Sequence, residues 1–395
     1  MSRGAVLDGL RFWMPAMAGM TCLGLGVGLL SIFGFFVPAL SQEFGVGVAL
    51  INMAPVMMLL APGLLSPLVG RVVDRWSIRH LLLLGSAVAM GSLLVLSQAD
   101  SIVMVALCFL VFSLGLVCYG PVVINALMVK QYPGREGRAL AIASLGISVS
   151  SVTLPVFVGF ILQWVEWRTA LALLAIAMMV ILWAWILAAL APGIVGAVSD
   201  TSNRVSGEIL RRRAFWLVGV IVAMALAVTL LLAICYPPLF ANRGFSAVES
   251  GLFLSVAGSA GFGGKLIVAS LVDRARQHIR WIVAFLLSVS ACGLLLLADA
   301  RSGPMIIACV ALLGFSGGSF LPLHPYLNSR YFPPEIIGQV NGAQSPMFLP
   351  LGLAGPPLAG YVYDVTGSYQ LVIQGLAVLP VIGLCALLAL PSTER

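Results

Sequence analysis

Ser255-Val-Ala-Gly-Ser-Ala-Gly-Phe-Gly-Gly-Lys265-Leu-Ile-Val-Ala-Ser-Leu-Val-Asp273-Arg274 is apolar and glycine-rich, with one full charge ahead of its closing Asp-Arg pair. It lies within a run long enough to cross a hydrocarbon layer of ~30 Å as a helix. An ammonium group at lipid depth is costly unless it faces a partner or a polar cavity, which makes Lys265 a functional candidate. Gly258 and Gly261 stand seven and four residues before it, on its own face of a helix. A cation beside bare backbone is expected to leave space for something negative. The plainer alternative is a lysine that stretches along the helix to the interface.

Working outward, the same composition fills the chain. Of 395 residues, 61% are hydrophobic and 9% charged, against about 25% charged in soluble domains. This is the composition of an integral membrane protein. Twelve apolar runs of span length can be placed, at 12–40, 46–70, 80–98, 102–130, 138–163, 169–191, 214–240, 247–272, 281–299, 303–330, 339–362 and 370–390. Ser246 and Glu249 have capping-box spacing at the start of the eighth. Asp100-Ser101 separates the third from the fourth, and Pro333-Pro334 ends the tenth. The fold class expected is all-α, with twelve transmembrane helices.

The net charge of +7 is a topology signal and does not point to nucleic acid, because the basic residues gather in short segments between the runs. With both termini cytoplasmic, Arg71, Arg75, Arg79, Lys130, Arg135, Arg138, Arg211, Arg212, Arg213, Arg274, Arg276 and Arg280 fall inside, among others. Only Arg168, Arg243 and Arg301 fall outside. A multi-pass protein of the cell (inner) membrane is expected. The segment before the first run does not read as a cleavable signal. The cysteines lie in or beside apolar runs without metal-ligand spacing and read as packing residues. No metal site, cofactor or nucleotide loop is visible, nor any nucleophile–base pair, so the expectation is not an enzyme.

The chain also repeats. Pro38 is echoed by Pro238, Asp74-Arg75 by Asp273-Arg274, Tyr132-Pro133 by Phe332-Pro333, and Leu154-Pro155 with Gly159 by Pro356 and Gly360. All these offsets are 199 to 201 residues. The expectation is an N-terminal six-helix bundle (1–191), a cytoplasmic linker (192–213) and a C-terminal six-helix bundle (214–395), related by a parallel pseudo-two-fold repeat. This is the plan of the major facilitator transporters.

Gly70-Arg-Val-Val-Asp74-Arg75-Trp-Ser-Ile-Arg79 resembles the loop motif between helices two and three of that superfamily, with serine where the motif usually has glycine. Asp273 and Arg274 keep a shorter copy. The resemblance implies a gate in which Gly70, Asp74, Arg75, Arg79, Asp273 and Arg274 latch the two halves in one state. The bland alternative is that these charges anchor a loop in the interface. A narrower resemblance, to monocarboxylate transporters and oxalate–formate exchangers, rests on Gly355-Pro-Pro-Leu-Ala-Gly360 with Asp364 and Gly367-Ser-Tyr369. Asp8-Gly9 with Trp13, and Arg138-Ala-Leu-Ala141, add to it. In those families an arginine of helix eight holds the substrate carboxylate, and Lys265 stands in its place. Three departures accompany the likeness: helix one lacks a charge, Gly261 stands where an aspartate is common, and helix eleven has no basic residue between Asn341 and Tyr361. A single cation implies a monoanion.

His324, between Pro322 and Pro325 in the tenth run, is a candidate proton carrier, or else a neutral imidazole bonding a carbonyl freed by proline. Tyr119, Asn125, Tyr326 and Gln344 are further candidate substrate ligands, with interhelical hydrogen bonding as the alternative. Gly24, Gly26, Gly28, Gly314, Gly317 and Gly318 are expected at close helix contacts, and Trp164 and Trp167 as interface anchors. The expected function is secondary transport of a small organic monoanion by alternating access, coupled to H+, by a chain acting as a monomer in the lipid bilayer. The alternatives are efflux of amphipathic drugs or metabolites, and a membrane sensor signalling through the 192–213 connection.

Overall fold

The computed structural model describes residues 3–73, 75–133, 135–191, 207–272, 278–332 and 337–391, and every element within them is helical. The chain divides into two units: Met1–Val46 with Ile51–Asp200, and Gly47–Leu50 with Thr201–Arg395. Ten helices among the described residues are long and apolar enough to cross a membrane, or eleven if the bent pair Val37–Phe44 and Val48–Pro62 is one span. The expected run 339–362 is not among them. A bilayer offers no hydrogen-bond partners, so each segment must satisfy its own backbone, and helices are the outcome.

The first unit contains α1 (Arg3–Ile32), α2 (Val37–Phe44), α4 (Met53–Val73), α5 (Ile78–Leu96), α6 (Ile102–Tyr119), α7 (Pro121–Gln131), α8 (Glu136–Ile161) and α9 (Trp167–Ala189). Of the short α3 (Val48–Ile51), residues 48–50 group with the second unit and Ile51 with the first. Three expected runs are interrupted, 46–70 among them, at Asn52 between α3 and α4. After α1 the chain makes a 3-10 turn at Phe33–Phe35 before α2, because Pro38 lacks an N–H and crowds the carbonyl four residues back. The fourth run breaks at Gly120, where ψ is −162°, and Pro121 then opens α7 at its first turn. Tyr132 places its hydroxyl in the ladder of α1, accepting from the Ala16 amide at 3.1 Å and donating to the Phe12 carbonyl at 2.8 Å. Gly24 and Gly146 bring α1 and α8 together backbone to backbone.

Arginines close the helix ends of this unit. Arg168 donates to the carbonyls of Ser97 (3.0 Å) and Ala99 (2.7 Å), and its Nε donates to Glu43 at 3.0 Å. Arg79 donates to Leu190 O at 3.0 Å, tying the start of α5 to the end of α9. Carbonyls at a helix C-terminus have no partner of their own, and a guanidinium satisfies several at once. Trp167 corrects the expectation of an interface anchor. It is buried, and its Nε1 donates to Glu43 at 2.6 Å, whereas Trp164 is exposed.

The second unit adds α10 (Gly207–Arg211), α11 (Arg213–Asn242), α12 (Ala247–Val272), α13 (Ile279–Asp299), α14 (Gly303–Ser329), α15 (Ile337–Gln344), α16 (Leu349–Thr366), α17 (Gln370–Leu376) and α18 (Val378–Ala389). Of the expected linker, 192–206 lie outside the described residues, as do Pro333-Pro334. The capping box forms: Glu249 accepts from the Ser246 amide at 2.8 Å and the Glu249 amide donates to Ser246 Oγ at 3.2 Å. A core of Val218, Val222, Leu286, Leu287, Phe320, Leu323 and Leu387 joins α11, α13, α14 and α18. Here too arginines close helix ends. Arg243 donates to Ala298 O (2.8 Å) and Ala300 O (2.7 Å), and Arg280 to Leu387 O and Leu390 O, each at 2.9 Å. The expected eleventh run is cut by a 3-10 turn at Ser345–Phe348, with Pro346 in its first turn.

Candidate functional site

The helix that carries Lys265 is shaped by its glycines. Ala257, Gly261, Gly264 and Val268 recur at three- and four-residue spacing and form one stripe of α12. Gly261 lies against Gly314 and Gly318, Gly264 against Phe315 and Ser319, and Gly314 against Ala257. Along this seam α12 and α14 touch backbone to backbone. The reading of Gly261 as vacant space for an anion is therefore corrected: that face is filled by α14. Small residues in a span permit close approach of another helix as readily as of a ligand.

Lys265 itself is half-buried. At about 100° per residue it points roughly 70° away from the α14 seam and about 140° from the lipid-type flank of Leu252, Leu266 and Ile267. Those three are each about half exposed or more, at 50%, 55% and 47%. The ammonium stem thus leaves its helix on the side away from that exposed flank, near Gly258.

A second feature is a closed polar network on another side of α14. Gln344 is fully buried and ends α15 at the break in the eleventh run. Its Nε2 donates to Phe215 O at 2.7 Å and to Asn328 Oδ1 at 3.3 Å, so its Oε1 is the accepting end. That oxygen receives Asn328 Nδ2 at 2.7 Å and meets His324 Nε2 at 2.7 Å. An amide oxygen only accepts, so His324 must carry its hydrogen on Nε2, and its Nδ1 holds the basic lone pair. Asn328 Nδ2 also donates to Asn341 Oδ1 at 2.6 Å. Both hydrogens of each buried amide are placed, which a span requires because an unpaired buried amide costs about 1–3 kcal/mol.

His324 and Gln344 are therefore brought together. The face of α14 that carries His324 and Asn328 lies about 130° from the one against α12, so this network and the α12 seam are separate features of the helix. Tyr326 is half-buried and packs on the core of its unit. In the first unit Tyr119 is fully buried at the end of α6, its ring against Gly26, and its hydroxyl has no hydrogen-bond partner among the described residues. Asn125 in α7 is exposed.

Of the gating candidates, Gly70 lies in α4, Arg75 is exposed and Arg79 holds Leu190 O within its own unit. Asp74, Asp273 and Arg274 lie outside the described residues. Sequence reasoning missed the partner of Asp364. Its Oδ1 accepts from the Val48 amide at 2.8 Å and its Oδ2 from the Ala49 amide at 2.9 Å. A carboxylate one turn after Gly360, near the end of an apolar run, was the available signal.

The sequence matches the Major Facilitator Superfamily over residues 16–353. It is 24% identical to human monocarboxylate transporter 11 over 378 residues, covering 92% of this chain and 79% of that protein. It is 23% identical to rat monocarboxylate transporter 13, covering 92% of this chain and 85% of that one. Similarity at 23% also extends to MFS-type transporter 1 of Ophiocordyceps sp. (strain BCC 1869), with 92% and 81% covered. Among solved structures, a bacterial homologue of the human lysosomal transporter Spinster, in an inward-facing and occupied conformation, superposes with a TM-score of 0.78. That comparison covers 96% of both chains at 13% identity, a likeness of fold alone. With that family match across most of its length and many apolar helices to carry it through the bilayer, this chain is a multi-pass membrane transporter, not an enzyme, and it belongs to the Major Facilitator Superfamily.

Proposed function

We propose that the chain is a secondary transporter of small organic monoanions, working by alternating access. The observation that carries this reading is Lys265, a cation half-buried in an apolar span and directed away from that span's exposed flank. A charge-assisted hydrogen bond to a carboxylate in such surroundings is stronger and more selective than in water. The relatives named monocarboxylate transporters support the same cargo class. His324, with a fixed Nε2–H and a basic Nδ1, is the residue suited to carry a coupled proton. Tyr119, Asn125, Tyr326 and Gln344 complete the proposed ligand set. Gly70, Asp74, Arg75, Arg79, Asp273 and Arg274 form the proposed gate.

The finer architecture belongs to the same proposal: twelve spans in two six-helix bundles (1–191 and 214–395), a cytoplasmic linker, both termini inside, a monomer in the inner membrane. Its repeat is supported by matching contacts. Arg79 serves Leu190 O and Arg280 serves Leu390 O, offsets of 201 and 200 residues. Ser97 and Ala99 receive an arginine, and so do Ala298 and Ala300.

Uptake of C2 to C10 carboxylates into proteoliposomes, with internal pH followed, tests the cargo and the coupling together. Lys265→Ala is expected to lose ten-fold or more of uptake and Lys265→Arg to keep a measurable share. Equal uptake by Lys265→Ala and the parent across the panel would sink the anion reading and favour efflux of amphipathic compounds.

A further inference from the structure

Three consecutive arginines, Arg211, Arg212 and Arg213, lie exposed where α10 gives way to α11 in the second unit. Arg212, at φ −77° and ψ 123°, is extended and forms a joint between the two helices. The joint is fixed from two sides. On the inside, Ile209 is buried against Phe215, Phe332 and Val340. On the outside, Trp216 Nε1 donates to Leu210 O at 2.8 Å and closes the end of α10 onto the first turn of α11. That bond satisfies the polar atom of the indole, so the exposed part of the ring presents carbon. Leu210, exposed as well, adds a second apolar side chain to the same joint. In the proposed repeat, Phe12 and Trp13 stand where Arg212 and Arg213 stand here, and they pack on Tyr132 with ring centroids 5.2 and 5.1 Å away. One copy builds this position from aromatic rings, so packing alone does not call for arginine in the other.

Arg213 is the first residue of a helix long and apolar enough to cross the membrane, so the joint lies at the depth of the lipid headgroups. Tryptophan favours that depth, where its ring meets hydrocarbon and its N–H meets polar groups. Among the described residues, neither Arg211 nor Arg213 forms an ion pair with a carboxylate. Arg212 lies over the Phe332 ring, 5.9 Å from its centroid. A guanidinium offers a planar fork of donors that matches two phosphate oxygens at once, which an ammonium does not. We propose that Leu210–Trp216 is a binding site for an anionic phospholipid, its phosphodiester held by Arg211 and Arg213 and its chains lying along Leu210 and Trp216. Charge complementarity and depth choose this occupant. The phosphates nearest to the end of a span are those of the bilayer, and basic residues there attract the lipids of net negative charge. The site is independent of which cargo is carried.

The whole chain in lipid nanodiscs tests it, with discs of phosphatidylcholine alone compared with discs containing about one third phosphatidylglycerol. Amide hydrogen exchange is followed across residues 207–216. The parent is expected to exchange about three-fold slower there when phosphatidylglycerol is present, with the rest of α11 unchanged. Arg211→Gln with Arg213→Gln is expected to exchange at one rate in both discs. These side chains are exposed, so the double variant should melt with the parent in phosphatidylcholine. Native mass spectrometry then counts the lipid that stays bound, and the double glutamine variant is expected to retain about three-fold less phosphatidylglycerol than the parent. Arg211→Lys with Arg213→Lys keeps the charge that sets membrane sidedness and loses the fork, so it should keep less than about half of the protection. A parent indifferent to phosphatidylglycerol, or a double glutamine variant protected as well as the parent, would overturn the site. Full protection in the double lysine variant would overturn the fork and leave only diffuse attraction to the leaflet. Equal protection by inorganic phosphate in phosphatidylcholine discs would overturn lipid as the occupant.

Discussion

Gly318 in α14 packs backbone to backbone on Gly261 in α12, so that a Cβ added to Gly318 would fall 2.5 Å from the Cα of Gly261. No rotamer relieves such an overlap, because the obstacle is main chain. Gly318→Leu should force the two helices apart and lower stability by about 1–3 kcal/mol, the usual cost of overfilling a packed contact. Among the described residues, no atom beyond its own helix lies within 4 Å of a Cβ built on Gly263, on the same helix as Gly261. Gly263→Ala should therefore be neutral or stabilising by up to about 1 kcal/mol, the helix preference of alanine over glycine. Thermal unfolding of both variants in one detergent separates the cases. A Gly318→Leu protein as stable as the parent would contradict the seam.

Gln344 joins three segments of the second unit through one amide, with Phe215 O, Asn328 and His324 as partners. Gln344→Leu keeps the bulk but leaves the buried Asn328 amide and the Phe215 carbonyl short of partners, at about 1–3 kcal/mol for each group stranded. Asn341→Ala removes only one of the two acceptors of Asn328 Nδ2 and should cost less. The expected order of melting temperatures is parent, then Asn341→Ala, then Gln344→Leu. Equal losses would mean that Gln344 is not the member on which the others converge.

These two cases show what sequence could and could not reveal. That the chain crosses a membrane as helices was legible, because each span must satisfy its own backbone and apolar length alone announces it. Ser246 with Glu249 announced a helix start, because a capping box is local in sequence. The breaks at Gly120 and at Ser345–Phe348 were not legible. Proline marks both, yet α11, α14 and α16 run straight through Pro237, Pro322 and Pro356. Whether a proline interrupts a span depends on what neighbouring helices offer the freed carbonyls, which is a tertiary fact. Gly261 misled for a related reason: a missing side chain reports that something comes close, without saying whether it is a helix or a ligand. His324 and Gln344 were each visible as polar residues in apolar runs. Their pairing across twenty residues, from one helix to the next, was not.

Tyr119 offers a separation of stability from function. Its hydroxyl is buried without a hydrogen-bond partner among the described residues, a desolvation cost of about 1–3 kcal/mol that Tyr119→Phe would remove. The variant should melt at or above the parent temperature. If the hydroxyl is one of the groups that the cargo engages, uptake should fall several-fold in this more stable protein. Raised stability with full uptake would mark Tyr119 as packing against Gly26 and nothing more.

Arg79 and Arg280 allow the repeat to be tested through its energetics. Arg280 satisfies two carbonyls, Leu387 O and Leu390 O, while Arg79 satisfies one, Leu190 O. Charge-assisted bonds contribute about 1.5–3 kcal/mol when sheltered and less when water competes, so Arg280→Ala should lose about 2 kcal/mol and Arg79→Ala about 1 kcal/mol. Lysine variants should recover part of each loss, because an ammonium lacks the planar fork that spans separate acceptors. In both cases the last turn of the partner helix should fray, read as faster amide exchange in the final turn of α9 for Arg79→Ala and of α18 for Arg280→Ala. Arg79 also stands in the loop motif proposed as a gate, and the same variant distinguishes the two roles. If Arg79→Ala stops uptake while α9 keeps its protection, the arginine acts in gating. If α9 frays and uptake declines only with the folded fraction, its bond to Leu190 accounts for it in full.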